Sequence, residues 1–404
     1  MLVAVPFFVF VTWILTKPTS IDAGCSISTK YPNGDLKEPQ PLILRWKGSD
    51  ISFLYPENKN RTLEIHTGDT IHLVCPGKDN YLKDEYWGDQ VPATCVWDKT
   101  FRVKGENYDF RTLTCAKDPE DSTKYRKPPC CTCKHNPVEI GFKMGNDFIA
   151  TIEICYNDET YETYYTKFRM TKHIGNFQRS YPRPQFKQGN FFHGINVNKL
   201  YTFRAQKETL AKILGSSDLV AGKLRESVQF LSRGHLAAKS DFIYGSQQRS
   251  TFWYVNAAPQ WLSFNDGNWK LLETSIRDLV TNRKLDLDVY TGTHDIMTMK
   301  NIYGVQTRLY LYPERQVLPV PKYFWKVIYD PKSKKGTAFV GLNDPFIESR
   351  YTNMFLCLDV TKEITWLKWD PNNVTAGISY ACTINELRKK IPEIPDLYVT
   401  NLLK

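Results

Sequence analysis

The sequence has no long hydrophobic segment after its first residues, and it contains no internal repeat and no low-complexity stretch. Its longest apolar run spans residues 3–15, whereas a membrane-spanning helix needs about 20 apolar residues. We therefore expect no membrane partner. Because small residues follow the run up to Gly24, residues 1–23 are predicted to be a secretory signal peptide, and the protein is predicted to be secreted.

The composition excludes a disordered or fibrous chain, since 42% of the residues are hydrophobic and 24% are charged, as in globular proteins. A length of 404 residues predicts two domains, or one large domain with an added module. The chain has 53 Lys and Arg against 43 Asp and Glu, a net charge of +10. That charge favours an anionic partner: a nucleic acid, a sulfated glycan or an acidic membrane. We expect a monomer.

The cysteines divide into an early group of seven and a late group of three, at positions 25, 75, 95, 115, 130, 131, 133 and at 155, 357, 382. An even total in an exported chain predicts disulfide bonds. Cys130, Cys131, Cys133 and His135 could instead bind zinc, although no second C-x-x-C pair accompanies them. Export also makes the sequons at Asn60 and Asn373 candidate glycosylation sites.

Residues 24–135 are predicted to form a small, disulfide-stapled, mostly β module, because they combine most of the cysteines with short β-like runs and turn signals. Residues 136–404 mix helices and strands, which makes the whole chain α+β. A helix is predicted over residues 269–281, where apolar residues recur on one stripe. Residues 252–255 and 284–290 are predicted to be strands.

Side chains suited to catalysis are concentrated between residues 230 and 277. Arg233 and His235 are two residues apart, so an extended backbone would place both on one face. Asn256, Asn265 and a helix bearing two further charged residues, Glu273 and Arg277, follow. Together they supply a base, an oxygen ligand for a hard metal ion and groups that bind phosphate.

These residues resemble the motifs of the DNA/RNA non-specific endonuclease family, which has a ββα-metal active site. The resemblance is strongest to its secreted insect branch of digestive and salivary nucleases. The motifs stand here as Ser232-Arg-Gly-His235, Asn256-Ala-Ala-Pro-Gln260 and residues 265–277, followed by matches at 290–294, 320–327 and 341–345. The resemblance covers about residues 140–400. It implies a ββα-metal core with a central antiparallel sheet and phosphodiester cleavage within DNA or RNA.

The resemblance also implies a role for each residue. His235 would be the general base, and Asn265 would be the single protein ligand of Mg²⁺, with Mn²⁺ as an alternative. Glu273 would hold the metal's water molecules, and Arg233 would contribute to catalysis by gripping phosphate. The predicted substrate-binding residues are Arg277, Asn256 and an upstream arginine, for which Arg183 is the candidate and Arg179 the alternative. Asn256 would support either the base or the substrate.

One position departs from the family pattern, because Ser232 stands where the wider family has Asp. This leaves open a second hypothesis, in which the same scaffold binds nucleic acid or another polyanion but cleaves it weakly or not at all. A third makes the N-terminal module the functional part, as a domain that binds a partner. From the residues alone, Glu273 and Arg277 could also be a simple exposed ion pair.

Overall fold

The computed structural model describes residues 24–48, 50–83, 87–126, 135–348 and 352–404. The predicted signal peptide and three of the four candidate zinc ligands, Cys130, Cys131 and Cys133, lie outside these residues. Within them, no helix is long and apolar enough to cross a membrane.

The strands of the described residues follow one another in the order β1 Cys25–Ser28, β2 Leu42–Lys47, β3 Asp50–Phe53, β4 Thr62–Ile65, β5 Thr70–Val74, β6 Gln90–Trp97, β7 Thr100–Val103, β8 Glu106–Asp109, β9 Ser122–Tyr125, β10 Asn136–Met144, β11 Asp147–Asn157, β12 Glu162–Met170, β13 Leu231–His235, β14 Ala257–Trp261, β15 Leu287–Ile296, β16 Thr298–Lys300, β17 Gln306–Arg308, β18 Tyr310–Tyr312, β19 Val317–Pro319, β20 Pro321–Asp330, β21 Lys335–Leu342 and β22 Ser379–Cys382.

The helices are α1 Val197–Leu200, α2 Phe203–Leu214, α3 Ser217–Ala221, α4 Gly245–Arg249, α5 Leu262–Phe264, α6 Lys270–Arg283 and α7 Ile384–Arg388. Single 3-10 turns lie at Phe110–Thr112, Ile174–Asn176, Lys239–Asp241, Tyr254–Asn256, Thr352–Met354 and Thr361–Glu363, and a π-helical turn at Asn265–Trp269.

The N-terminal part is mostly β, as predicted. Its main sheet has the antiparallel order β3-β2-β5-β6-β7-β8, and β1 pairs with β4 beside it. Alternate residues of β6 are buried, as expected for a strand with one face on the core. Disulfides join Cys25 to Cys95 and Cys75 to Cys115. A third described disulfide joins Cys357 to Cys382 near the other end of the chain.

The rest of the chain is built around a central antiparallel sheet, which confirms the predicted α+β class. Its strand order is β22-β21-β20-β15-β12-β11-β10-β9. The sheet is not confined to the predicted second domain, because β9 lies before residue 135 and pairs with β10. One hydrophobic core also contains residues of both parts, from Cys25 to Leu403. The two-domain division at residue 135 therefore stays a proposal, and the two parts share a core.

Most of the local predictions near the motifs are confirmed. Helix α6 buries the stripe Leu272, Ile276 and Leu279, and β13 is extended through His235. Two predictions are wrong. Residues 252–255 are not a strand, because the chain turns at Tyr254–Asn256 and β14 begins only at Ala257. Lys284 ends α6 in a left-handed conformation with φ 53°, so the strand predicted from residue 284 begins at 287.

Candidate active site

Two antiparallel strands and a helix bring the motif residues together. Strand β13 pairs with β14 so that His235 lies opposite Ala257 and Ser232 opposite Gln260. The chain then leaves β14 through α5 and the π-helical turn, and continues directly into α6. The described structure thus has the β-β-α order that the resemblance implied.

His235 is enclosed by aromatic rings and by positive charge. Its ring centroid lies 5.0 Å from that of Phe186 and 4.8 Å from that of Phe252, and the side chain is buried. Burial, which is the largest cause, and the charges of Arg183 and Lys239 together lower the pKa of His235 to about 3. The imidazole is therefore neutral at pH 7. Its Nε2 has no hydrogen-bond partner among the described residues and can accept a proton.

Arg233 lies on the same face as His235, as the two-residue spacing predicted. Its guanidinium is 5.8 Å from the ring of Phe186, the ring that also contacts His235. Nε donates to the hydroxyl of Tyr254 at 3.0 Å, and Nη2 donates to Oδ1 of Asn198 at 2.7 Å. These contacts fix the planar group, and its remaining N–H donors suit a phosphate oxygen.

Asn256 supports the segment that follows the histidine. It is completely buried, and its Oδ1 accepts from the backbone of Ala237 at 2.9 Å. Its Nδ2 donates to the carbonyls of Ala237 at 3.0 Å and Thr251 at 2.8 Å. Because these contacts occupy both ends of the amide inside the protein, they favour support of the base, one of the two roles predicted for Asn256, over contact with the substrate.

Asn265 is held by the residue that departs from the family pattern. Its Nδ2 donates to Oγ of Ser232 at 3.0 Å, and that hydroxyl donates to the carbonyl of Gln260 at 2.8 Å. With Nδ2 engaged, the Oδ1 of Asn265 faces no hydrogen-bond donor among the described residues and fits a hard cation. No group of three or more His, Cys, Asp or Glu there could hold a metal ion, so a metal would depend on few protein ligands.

Glu273, Arg277 and two further residues form a buried charge cluster. Arg277 donates to Oδ1 of Asp241 at 2.7 Å, and both side chains are largely buried, at 15% and 2% exposure. Burial and the neighbouring Asp241 raise the pKa of Glu273 to about 7. Lys326 of β20 lies 5.5 Å from the ring of Trp269, and its positive charge acts on both carboxylates.

The cluster corrects one expectation for Arg277. It is not an exposed ion pair with Glu273, because its partner is Asp241. Its Nη2 also donates to Oγ1 of Thr274 at 3.0 Å, so two of its donors are engaged within the protein, and its contact with substrate stays a prediction. The salt bridge joins α6 to the turn that begins four residues after His235, so these contacts suit a positioning role.

Of the two candidate upstream arginines, the structure brings Arg183 to the histidine. Its guanidinium lies 5.2 Å from the ring of Phe252, and its charge acts on His235. Arg179 lies instead beside Arg61 of the N-terminal part, and its guanidinium is 5.7 Å from the ring of Phe177.

Sequence reasoning missed Asp241 and Lys326. Lys326 carried a signal, because it is the one charged residue within the apolar run Tyr323-Phe-Trp-Lys-Val-Ile-Tyr329, and a lysine at such a position is rarely buried without a partner. Asp241 carried none, since an acidic residue after a strand is ordinarily solvated.

Known proteins are similar to this chain over most of its length. Residues 136–387 match the family model of the DNA/RNA non-specific endonucleases. The chain is 26% identical over 381 residues to a salivary endonuclease of Lutzomyia longipalpis, covering 92% of this chain and 85% of that protein. It is 27% identical over 398 residues to the salivary protein Tsal2A of Glossina morsitans morsitans, covering 96% and 97%.

A salivary endonuclease of Culex quinquefasciatus is 22% identical over 376 residues, covering 91% of this chain and 90% of that protein. The resemblance inferred from the motifs is thereby confirmed. The match to the family model includes the β13–β14 pair and α6, which carry the candidate site, and it extends over more than half of the chain. The chain belongs to the DNA/RNA non-specific endonuclease family.

Proposed function

We propose that this protein is a secreted, Mg²⁺-dependent endonuclease that hydrolyses phosphodiester bonds within DNA, RNA or both, without sequence or sugar preference. One observation carries the proposal: His235 is neutral, buried and unpartnered at Nε2, and two arginines lie beside it. Phosphate contacts hold no sequence information, which accounts for the proposed tolerance.

In the proposed reaction, His235 removes a proton from a water molecule as the water oxygen attacks phosphorus. The bond between phosphorus and the 3′-oxygen breaks, and that oxygen leaves with the electron pair and takes a proton from solvent. The products carry a 5′-phosphate and a 3′-hydroxyl. Arg233 and Arg183 bind phosphate oxygens. A bound phosphate also offsets the charge of Arg183, which raises the pKa of His235 toward a value better suited to a base.

Asn265 would hold the metal ion through Oδ1, and Glu273 would accept hydrogen bonds from the metal's water molecules. The donor set fits Mg²⁺ or Mn²⁺, because an amide oxygen and a carboxylate are hard oxygen ligands. When bound, the ion would offset the negative charge that develops on the phosphoryl group and the departing oxygen. Ser232 orients Asn265 through the hydrogen bond at 3.0 Å.

The setting of the reaction is also proposed. Several relatives are named as salivary proteins of insects, which supports secretion of this chain and action on nucleic acid outside the cell. We further propose that it acts as a monomer. The sequons at Asn60 and Asn373 lie on exposed side chains, as glycosylation would require.

The deciding experiment is cleavage of circular plasmid DNA and of long double-stranded RNA, with Mg²⁺ and with EDTA. We expect Mg²⁺-dependent nicking and fragmentation by the wild type. His235→Ala should lower the rate at least about 10²- to 10⁴-fold, the usual contribution of a general base. His72→Ala is the matched control, since His72 is a partly buried histidine of β5 that stacks on Trp46, and it should cut normally.

Other results would contradict the proposal. Wild-type protein that retards DNA on a gel and cuts neither substrate would favour the polyanion-binding alternative, with Ser232 as the first position to restore to Asp. Equal rates for wild type and His235→Ala would show that another group is the base.

A further inference from the structure

A second cluster of positive charge lies outside the candidate active site, in a cavity of about 410 Å³ between the N-terminal part and the nuclease part. Residues 57–61 form one wall, and residues 172–179 and 281–284 form the other. The lining includes the basic side chains Lys59, Arg61, Lys172, Arg179 and Lys284, and one carboxylate, Glu57.

These five basic side chains outnumber the single carboxylate of the cavity lining, Glu57. None of the five forms a salt bridge with a carboxylate of the described residues. Arg61 and Arg179 are close enough that the charge of Arg179 adds to burial in lowering the pKa of Arg61. Arg179 is ordered by the ring of Phe177, 5.7 Å from its guanidinium. Five like charges held together against one carboxylate, Glu57, are an arrangement that favours an anion.

Two segments lead from this cavity to the candidate active site. Thr281 of the cavity lining lies on α6, and Lys284 lies at the end of this helix. Thr281 belongs to the helical stripe, spaced by four residues, that continues through Arg277 to Glu273. A rise of about 1.5 Å per residue separates Glu273 from Thr281 by about 12 Å along the helix. On the other side, Arg179 precedes Arg183 by four residues.

We propose that this cavity is a phosphate-binding site for the same nucleic acid strand that enters the active site, a few nucleotides from the bond that is cut. The proposal rests on the proposed nuclease function and adds a substrate requirement to it: strands long enough to reach the cavity bind more tightly. Along one strand of a DNA duplex, a separation of about 12 Å corresponds to three or four nucleotides at about 3.4 Å each. The N-terminal part thereby becomes a contributor to substrate binding.

The test compares binding of a short and a long fluorescent single-stranded DNA, a dinucleotide and a strand of about 20 nucleotides, in EDTA at several salt concentrations. The variant is Arg179→Gln with Lys284→Asn, because Asn tolerates the left-handed backbone of position 284. The control is Lys104→Gln with Arg308→Gln. It removes the same charge from two exposed side chains that do not line the cavity. Thermal unfolding verifies that each variant is folded.

We expect the cavity variant to bind the long DNA about tenfold more weakly while binding the short DNA like the wild type. The slope of log affinity against log salt should decrease by about 1.4, which is two phosphate contacts on a single strand. The control should change neither quantity by more than a small fraction of this.

A parallel assay measures binding of heparin by the cavity variant. Three results for this variant would overturn the proposal: unchanged binding of the long DNA, an equal loss for both DNA lengths, or weaker binding of heparin with unchanged binding of DNA. The last would identify a sulfated glycan as the ligand. Because binding is measured in EDTA, these results do not depend on cleavage. Plasmid cleavage lost in His235→Ala with unchanged DNA binding in the cavity variant would refute this site and leave the proposed function standing.

Discussion

The chemistry of His235 is decided by its surroundings. Phe186 and Phe252 pack against the ring, and burial together with the charges of Arg183 and Lys239 opposes its protonation. These surroundings keep the imidazole neutral, as a base must be. They also oppose its protonation as long as no substrate is bound. A group of this kind makes stability depend on pH.

We predict that acid weakens the fold partly through His235. The pKa is about 3 in the folded protein and about 6.5 in the unfolded chain. Below 6.5 the unfolded chain therefore binds a proton that the folded protein does not, and stability is lost as the pH falls toward 3. Between pH 7 and pH 5 this amounts to about 2 kcal/mol. Urea unfolding of wild type and His235→Gln measures it, and a difference independent of pH would contradict the prediction.

Lys326 is predicted to stabilise the charge cluster beneath the site. Lys326→Met removes a buried cation that acts on Glu273 and Asp241, and uncompensated buried carboxylates are costly. We expect the free energy of unfolding to decrease by about 3 kcal/mol and nuclease activity to fall. Lys322→Met, in the same strand and partly exposed at 34%, should cost less than about 1 kcal/mol. Urea unfolding measures both changes. Equal losses of unfolding free energy in Lys326→Met and Lys322→Met would show that Lys326 does not stabilise the charge cluster.

Ser232 is predicted to orient Asn265 adequately without the family's Asp. Ser232→Ala deletes the acceptor of the 3.0 Å hydrogen bond, worth about 1 kcal/mol. The Mg²⁺ concentration for half-maximal cleavage should therefore rise about fivefold. Ser232→Asp keeps an acceptor and adds negative charge near the cation, so this concentration should fall. A Mg²⁺ titration of cleavage measures both, and identical curves for all three proteins would exclude the role.

At the scale of elements, the link between β14 and α6 decides where Asn265 lies. Gly267 adopts a non-helical conformation there, and a Cβ at this position would approach the carbonyl oxygen of Ala376 to 2.7 Å. Asn268 fixes the same turn by donating to the carbonyls of Asp370 at 2.6 Å and Gly377 at 2.7 Å. The geometry of Asn265, the proposed metal ligand, thus depends on a distant segment near residue 376.

We predict that Gly267→Ala displaces Asn265 and reduces cleavage about 10²-fold, as small misplacements of catalytic groups do. Gly222→Ala is the matched control, because no atom lies within 4 Å of a Cβ there, and it should leave activity unchanged. Normal cleavage by Gly267→Ala in a plasmid assay would show that the turn adjusts without moving the ligand.

At the scale of the whole molecule, the N-terminal part is packed into the nuclease. Trp253 donates through Nε1 to Oδ2 of Asp121 at 2.6 Å, and Asn176 donates to the carbonyl of Pro56 at 2.8 Å. Lys187 and Asp121 form a salt bridge at 2.9 Å. These contacts hold the two segments that carry Phe186 and Phe252 against His235.

Residues 136–404 expressed alone are therefore predicted not to fold stably, because the shared core would be exposed and β10 would lose its neighbour β9. Circular dichroism and solubility, compared with residues 24–404, measure this. In the longer chain, Asp121→Asn should lower the free energy of unfolding more than Asp118→Asn. The side chain of Asp121 is 2% exposed and that of Asp118 is 37% exposed, and breaking a buried ion pair costs more than breaking an exposed one. A soluble, active fragment 136–404 would contradict the prediction.

The sequence by itself determined the α+β class, the disulfide-stapled N-terminal part, helix α6 and the shared face of Arg233 and His235. These features follow from local rules, because apolar spacing and the two-residue period of a strand act over a few residues. The order of the motifs also identified the family before any contact was known.

The tertiary structure alone decided which charges meet. Arg277 pairs with Asp241, 36 residues away, and Lys326 arrives from a different strand. It also decided that residues 252–255 turn, because the side chain of Asn256 bonds to Ala237 across β13 and β14. Likewise it formed the shared core and the basic cavity. The same physical reason applies to all of these features. The burial of a residue, the electrostatic field at it and its contact partners depend on elements that are distant in sequence, so no local sequence pattern contains them.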